Sequence, residues 1–190
     1  MLHEMAVKIA ETLVANGAEE KKKAILAYGA ECTLSELITN GIVLILALIL
    51  HIVPQAILWL IVFTLLRINI GGYHENTHLK CTITSTLLCI GESYAAQYVS
   101  IPFWLELVLL PVMILLTVLL APVIHPNHPV SEGRRKKIRR LAIWIVSIES
   151  VLLVILRFFS VDTSLRTTWM FAMLTAVVFA VVGRLQHGRI

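Results

Sequence analysis

Two uninterrupted apolar runs constrain the fold of this chain more than any other feature. The stretches GIVLILALILHIV and FWLELVLLPVMILLTVLLAPV begin at Gly41 and Phe103, and a membrane-spanning helix needs about 20 mainly apolar residues. The whole chain is 58% hydrophobic and 15% charged, with a mean hydropathy of +0.85. This composition leaves too little polar surface for a water-soluble domain of 190 residues. The sequence therefore predicts an all-α, polytopic membrane bundle.

The apolar segments predict six transmembrane helices, at about 37–53, 55–69, 82–100, 102–122, 141–159 and 166–184. The first two are short for a bilayer and are separated by Pro54, so a tight hairpin or a pair of shallow segments is expected. Residues 1–36 are mostly charged and polar, so no cleavable signal peptide is expected there. They predict an amphipathic helix on the membrane surface or against the bundle. The expected organisation is thus a cytoplasmic amphipathic segment at 1–36 and a transmembrane domain at 37–190.

The basic residues predict the orientation of the chain. If both termini are inside, 14 of the 16 lysines and arginines fall in internal segments, and only Arg157 and Arg166 fall outside. This asymmetry indicates cytoplasmic termini and places the segment from Arg67 to Cys81 at the cytoplasmic interface. The basic run RRKKIRR directly precedes a predicted span, which favours attraction to anionic lipid or to an acidic peptide over nucleic-acid binding.

The segment RINIGGYHENTHLKC, residues 67–81, concentrates the reactive side chains. Cys81 follows Lys80 and has histidines nearby, an electropositive setting that favours a thiolate. A His74–Cys81 dyad would need the chain to reverse, because seven residues of helix separate two side chains by about 10.5 Å of rise. Gly71 and Gly72 permit such a reversal. Cys81 as nucleophile with His74 as general acid and base is therefore one interpretation.

The residues of this segment are also compatible with two other interpretations. On one continuous helix, His74, His78 and Cys81 would share a face and offer zinc three ligands, and HENTH matches the H-E-x-x-H pattern. Alternatively, the segment is a polar turn at the headgroup level without chemistry. His125 and His128 in HPNHP predict a rigid turn more strongly than a metal site.

Polar side chains continue along the predicted third span. Glu92 lies about 20° around the helix from Cys81, and Ser85 about 40°. Glu92 is expected to line a peptide channel or to form a hydrogen bond within a dimer. A third catalytic residue would come from Glu75, Asn76 or Glu92.

Two further predictions concern charges and thiols inside the spans. Glu149 and Arg157 stand eight residues apart on the fifth span and predict a structural charge pair or interface anchors. Cys32 and Cys89 complete an odd set of three cysteines, so no disulfide framework is expected.

The whole pattern resembles the accessory gene regulator B (AgrB) family of membrane peptidases. The resemblance rests on RINIGGYHENTHLKC, the following apolar span, APVIHPNHP and RRKKIRR. Arg67, Gly72, His74 and Cys81 stand at the family's positions for an arginine, a glycine, the catalytic histidine and the catalytic cysteine.

The resemblance implies a cofactor-free cysteine endopeptidase of the bacterial cytoplasmic membrane. Such an enzyme cleaves a small quorum-sensing propeptide through a Cys81 thioester, and the product closes to a thiolactone or lactone. The propeptide would have an amphipathic helix and an acidic tail, and the enzyme would form a homodimer. Basic side chains would hold the tail: Arg67, Arg134, Arg135, Lys136 and Lys137. A zinc metalloprotease and a non-enzymatic peptide exporter are the alternatives.

Overall fold

The structure, a computed structural model, describes residues 2–72, 77–123, 131–159 and 161–187, apart from the side chains of His78 and His187. These ranges contain seven α-helices, with a short 3₁₀ turn at Glu20–Lys22 before the second. The helices are α1 (Leu2–Ala15), α2 (Lys23–Ile49), α3 (Val53–Ile70), α4 (His78–Ala95), α5 (Phe103–Leu120), α6 (Glu132–Arg157) and α7 (Thr163–His187). The prediction of an all-α bundle is confirmed.

Helices α2 to α7 run alternately in opposite directions, and α3 and α7 form the centre of the bundle. Their buried side chains include Trp59 and Leu66 on α3 and Met170 and Met173 on α7. One end of the bundle contains the end of α3 and the start of α4, and is called the Cys81 end. The other contains the starts of α5 and α7, and is called the Glu106 end.

Four helices of the described chain are long and apolar enough to cross a membrane. They are the continuous helical segment Glu20–Ile49, which includes α2, then α3, α5, and Thr163–Gln186 of α7. Helices α4 and α6 occupy the positions of the other two predicted spans. Both carry polar residues among their apolar ones: α4 is rich in threonine and serine, and α6 begins with the basic run.

The first helix of the bundle is longer than the sequence suggested. Helix α2 has 27 residues, about 40 Å of rise, and therefore continues well before the predicted start at residue 37. The expected boundary between residues 36 and 37 falls inside this continuous helix. The predicted tight hairpin is present, but Pro54 lies in the first turn of α3, where a missing backbone N–H costs no hydrogen bond.

Helix α1 lies against the N-terminal half of α2. It buries Ala6 and Ala10, and its His3 Nδ1 lies 2.9 Å from Glu31 Oε2 on α2. Small side chains allow the two helix backbones to approach closely. The larger apolar residues of α1 lie on an exposed face: Met5, Ile9 and Leu13.

An ion-paired cluster ties three helices together at the Glu106 end. Arg157 Nη1 of α6 donates to Glu106 Oε1 of α5 at 2.8 Å, and Arg166 Nη1 of α7 lies 3.8 Å from the same oxygen. Arg157 also stacks over the Phe103 ring, 5.0 Å from its centroid. The predicted pairing of Glu149 with Arg157 is therefore wrong: the partner comes from α5, which begins where α6 ends.

Candidate functional site

A glycine-dependent break separates α3 from α4 at the Cys81 end. Gly71 and Gly72 have φ angles of 75° and 135°, which residues with a Cβ rarely adopt. A Cβ on Gly71 would collide with the Val123 carbonyl oxygen. A Cβ on Gly72 would lie 2.5 Å from Arg67 Nη1 and 2.7 Å from the Phe179 oxygen. Both positions therefore require glycine for conformation and for space.

Cys81 lies in the first turn of α4, directly after this break. The extended Thr77 is the N-cap, and its side chain accepts a hydrogen bond from the Lys80 N–H at 3.3 Å. The Cys81 N–H donates to the Thr77 carbonyl at 3.1 Å. The Cys81 thiol is half-buried, and the start of a helix favours negative charge nearby. The prediction that residues 71–78 do not form one helix with Cys81 is confirmed.

Arg67 packs against the inner side of the glycine turn. Its Nη1 donates to the Gly71 carbonyl at 3.1 Å, and its guanidinium carbon lies 5.3 Å from the centroid of the Phe179 ring. Arg67 lies in the last turn of α3 and Cys81 in the first turn of α4, on the two sides of the break. The structure thus places Arg67 against Gly71 and Gly72, while Cys81 lies at the start of the next helix.

Two residues that the sequence analysis did not name also contact the Gly71–Gly72 turn. Val123, just after α5, forms a parallel β-bridge with Gly71, and its N–H donates to the Ile70 carbonyl at 2.8 Å. Phe179 of α7 contacts Arg67 through its ring and limits the space at Gly72 through its carbonyl. These contacts join backbone groups far apart in the chain, so no local motif marks them.

The inner face of α4 is polar next to Cys81. The Thr82 and Thr39 hydroxyls lie 2.8 Å apart and join α4 to α2. Ser85, one turn beyond Cys81, is half-buried. Helix α4 thus carries polar side chains beside Cys81, and α2 contacts one of them through Thr39.

Glu92 lies deeper in the bundle, where it links three helices. Trp59 Nε1 of α3 donates to Glu92 Oε2 at 2.6 Å, and Thr175 Oγ1 of α7 donates to Glu92 Oε1 at 2.5 Å. Eleven helical residues place Glu92 about 16 Å along α4 from Cys81. At that distance Glu92 supports helix packing and does not contact the thiol.

The basic run begins α6 at the Cys81 end. Arg139 Nη2 donates to the Val118 carbonyl at 2.8 Å, which satisfies a free acceptor in the last turn of α5. The four preceding basic residues are exposed, and within the described ranges they form no ion pair: Arg134, Arg135, Lys136 and Lys137. Exposed, uncompensated cations at the same end as Cys81 suit an anionic partner.

The family model for Accessory gene regulator B (AgrB) matches residues 6–183, nearly the whole chain. The chain belongs to the AgrB family. Its family and its four apolar helices make it a membrane protein.

A curated AgrB relative matches over a shorter region. AgrB-like protein 2 of Clostridium perfringens (strain 13 / Type A) is 26% identical over 126 residues, which are 63% of this chain and 59% of that protein. The match thus covers less than two thirds of the relative's length. No solved structure matches this chain.

Several residues that the sequence analysis named lie outside the described ranges. They are His74, Glu75 and Asn76 between α3 and α4, and His125 and His128 between α5 and α6. The zinc interpretation needed His74, His78 and Cys81 on one continuous helix. Thr77 is extended and α4 begins at His78, so the helix that carries Cys81 does not continue back through residue 77 as the zinc interpretation requires.

Proposed function

We propose that this AgrB family protein is a membrane cysteine endopeptidase that cleaves a small quorum-sensing propeptide, with Cys81 as the nucleophile and His74 as the general acid and base. The observation that carries the proposal is the position of Cys81. Its half-buried thiol lies in the first turn of α4, after the break between α3 and α4 and next to Lys80 in the sequence. Helix starts and nearby cations are the settings that activate cysteines in proteins.

Cleavage would proceed by acyl transfer. His74 takes the proton from Cys81, and the thiolate attacks the scissile carbonyl carbon. The C–N bond then breaks, the leaving amine receives the proton from His74, and a thioester joins the N-terminal part of the substrate to Cys81. A cysteine or serine within the bound peptide attacks this thioester, which releases a thiolactone or lactone and returns the Cys81 thiol. Water must be kept from the thioester, because hydrolysis would give a linear product.

The glycine break supports this chemistry in geometric terms. On one straight helix, His74 and Cys81 would be about 10.5 Å apart along the axis, too far for proton transfer. The end of α3 at Ile70 and the new helix start at His78 remove that restriction. We propose that His74, between the two helices, lies against the first turn of α4.

The exposed basic residues support a negatively charged substrate segment. Arg134, Arg135, Lys136 and Lys137 begin α6 at the same end of the bundle as Cys81. They would attract an acidic propeptide tail, and the apolar helices would hold the enzyme among membrane lipids. The proposal places both termini and the active site on the cytoplasmic side of the bacterial membrane, with two copies of the chain forming a homodimer.

Inhibitors distinguish the proposed cysteine enzyme from its alternatives. We expect iodoacetamide to stop propeptide cleavage by the purified protein in liposomes, and a zinc chelator to leave the rate unchanged. Cys32→Ala is the matched control, because Cys32 is also half-buried and lies outside the site. Its cleavage activity should be normal and equally sensitive to iodoacetamide. Inactivation by the chelator, reversed by zinc, would favour a metalloprotease, and release of uncut propeptide across the membrane would favour an exporter.

A further inference from the structure

Three glutamates lie inside the bundle, and the structure gives each a different environment. Glu92 accepts hydrogen bonds from Trp59 and Thr175. Glu106 pairs with arginines at the end of the bundle. Glu149, near the middle of the apolar part of α6, is only 5% exposed, and within the described ranges neither of its carboxyl oxygens has a hydrogen-bond partner.

Among the residues that the structure describes, no charged group of the packed helices compensates Glu149. Helix α6 packs against α3, α5 and α7. Their charged residues are engaged or placed elsewhere: Arg67 contacts the glycine turn, Glu106 and Arg166 belong to the cluster at the Glu106 end, and Arg184 is exposed near the end of α7. On α6 itself the nearest charges are Arg140 and Arg157, and about 12 Å of helix separates Glu149 from Arg157.

A bare carboxylate in such a place would be strongly destabilising. Transfer of an unpaired ion out of water costs so much that a buried group takes up a proton instead. A neutral carboxylic acid loses far less solvation energy, and its shape fits the same space. We propose that Glu149 is a proton-binding site in the bundle interior, which holds its proton at neutral pH and releases it only when the packing around α6 opens to water.

Infrared spectroscopy of the full-length protein in liposomes tests this proposal directly. A protonated carboxyl has a C=O stretching band well separated from the carboxylate bands. We expect this band at neutral pH in the wild-type protein, and its loss in Glu149→Gln. Glu92→Gln is the matched control: it replaces a membrane-embedded glutamate that has donors, and it should keep the Glu149 band. Glutamine mimics the neutral acid, so the thermal midpoint of Glu149→Gln should equal that of the wild type at neutral pH.

The pH dependence provides a second measurement that needs no variant. In the wild-type protein the band should give way to carboxylate absorption only at alkaline pH, together with faster deuterium exchange of the amides of α6. Absence of any protonated-carboxyl band at neutral pH would overturn the proposal. So would a band that remains unchanged in Glu149→Gln. The outcome does not depend on whether Cys81 is a nucleophile.

Discussion

Replacing Cys81 with alanine should reduce propeptide cleavage by on the order of 10⁴-fold or more, the scale of loss when a protease loses its nucleophile. The thiol is half-buried in the first turn of α4 and makes no hydrogen bond within the described ranges. Its removal should therefore leave insertion and folding intact. The measurement is the cleavage rate of the cognate propeptide by purified protein in liposomes, with thermal unfolding of the same samples as the folding check.

Other single variants test whether the loss of activity is specific to the proposed catalytic residues. His74→Ala should lower the rate to a similar extent, because residues that act as one unit are not additive. Cys32→Ala removes a half-buried thiol from α2 and should retain full activity. Cys89 is a poor control, because it is fully buried and its Sγ lies 3.8 Å from the Ala56 carbonyl. Normal release of mature peptide by Cys81→Ala would refute the proposed role of Cys81.

Gly72→Ala should both destabilise the protein and remove most of its activity. The φ angle of 135° is unfavourable for alanine, and the new methyl group would collide with Arg67 and with the backbone oxygen of Phe179. Strain of this kind costs about 1–3 kcal/mol, and the clash with a backbone atom adds to it. Relief of the clash would displace the turn that precedes Cys81. We expect a lower midpoint of thermal unfolding and, in the protein that remains folded, a reduced cleavage rate.

Gly91→Ala is the control for this substitution. Gly91 lies within α4 itself, and a Cβ there would meet no atom within 4 Å. Alanine in a helix interior is favoured over glycine by roughly 0.5–1 kcal/mol, so the midpoint should rise slightly and the activity should be unchanged. Equal effects of the two substitutions would contradict the role assigned to the glycine turn.

The sequence predicted the break between α3 and α4 because the signal for it is local. Paired glycines followed by cap-forming residues interrupt a helix wherever they occur. The positions of the bundle helices followed from apolar segment length in the same way. The N-terminal extension of α2 did not, since residues 23–36 are mixed in polarity and their helix continues from the apolar part without a breaker.

The sequence patterns did not predict the contacts between helices that are far apart in the chain. Glu149 and Arg157 lie on the same helix, but Arg157 pairs with Glu106 of α5. This pairing depends on how α5 packs against α6, which the sequence pattern does not show. The frame around Gly71 and Gly72 is likewise made by Val123 and Phe179, through backbone groups that any residue carries. His74 lies outside the described residues, so its approach to Cys81 stays a prediction.

The most direct test of the central claim is a mass spectrum of the protein mixed with its cognate propeptide and quenched with acid, which preserves thioesters. The proposed mechanism predicts a covalent adduct whose mass equals the N-terminal part of the propeptide, attached to the peptide that contains Cys81. The adduct should be absent from Cys81→Ala and present in Cys32→Ala. Cleaved propeptide without any adduct on Cys81, or an adduct on another residue, would contradict the account.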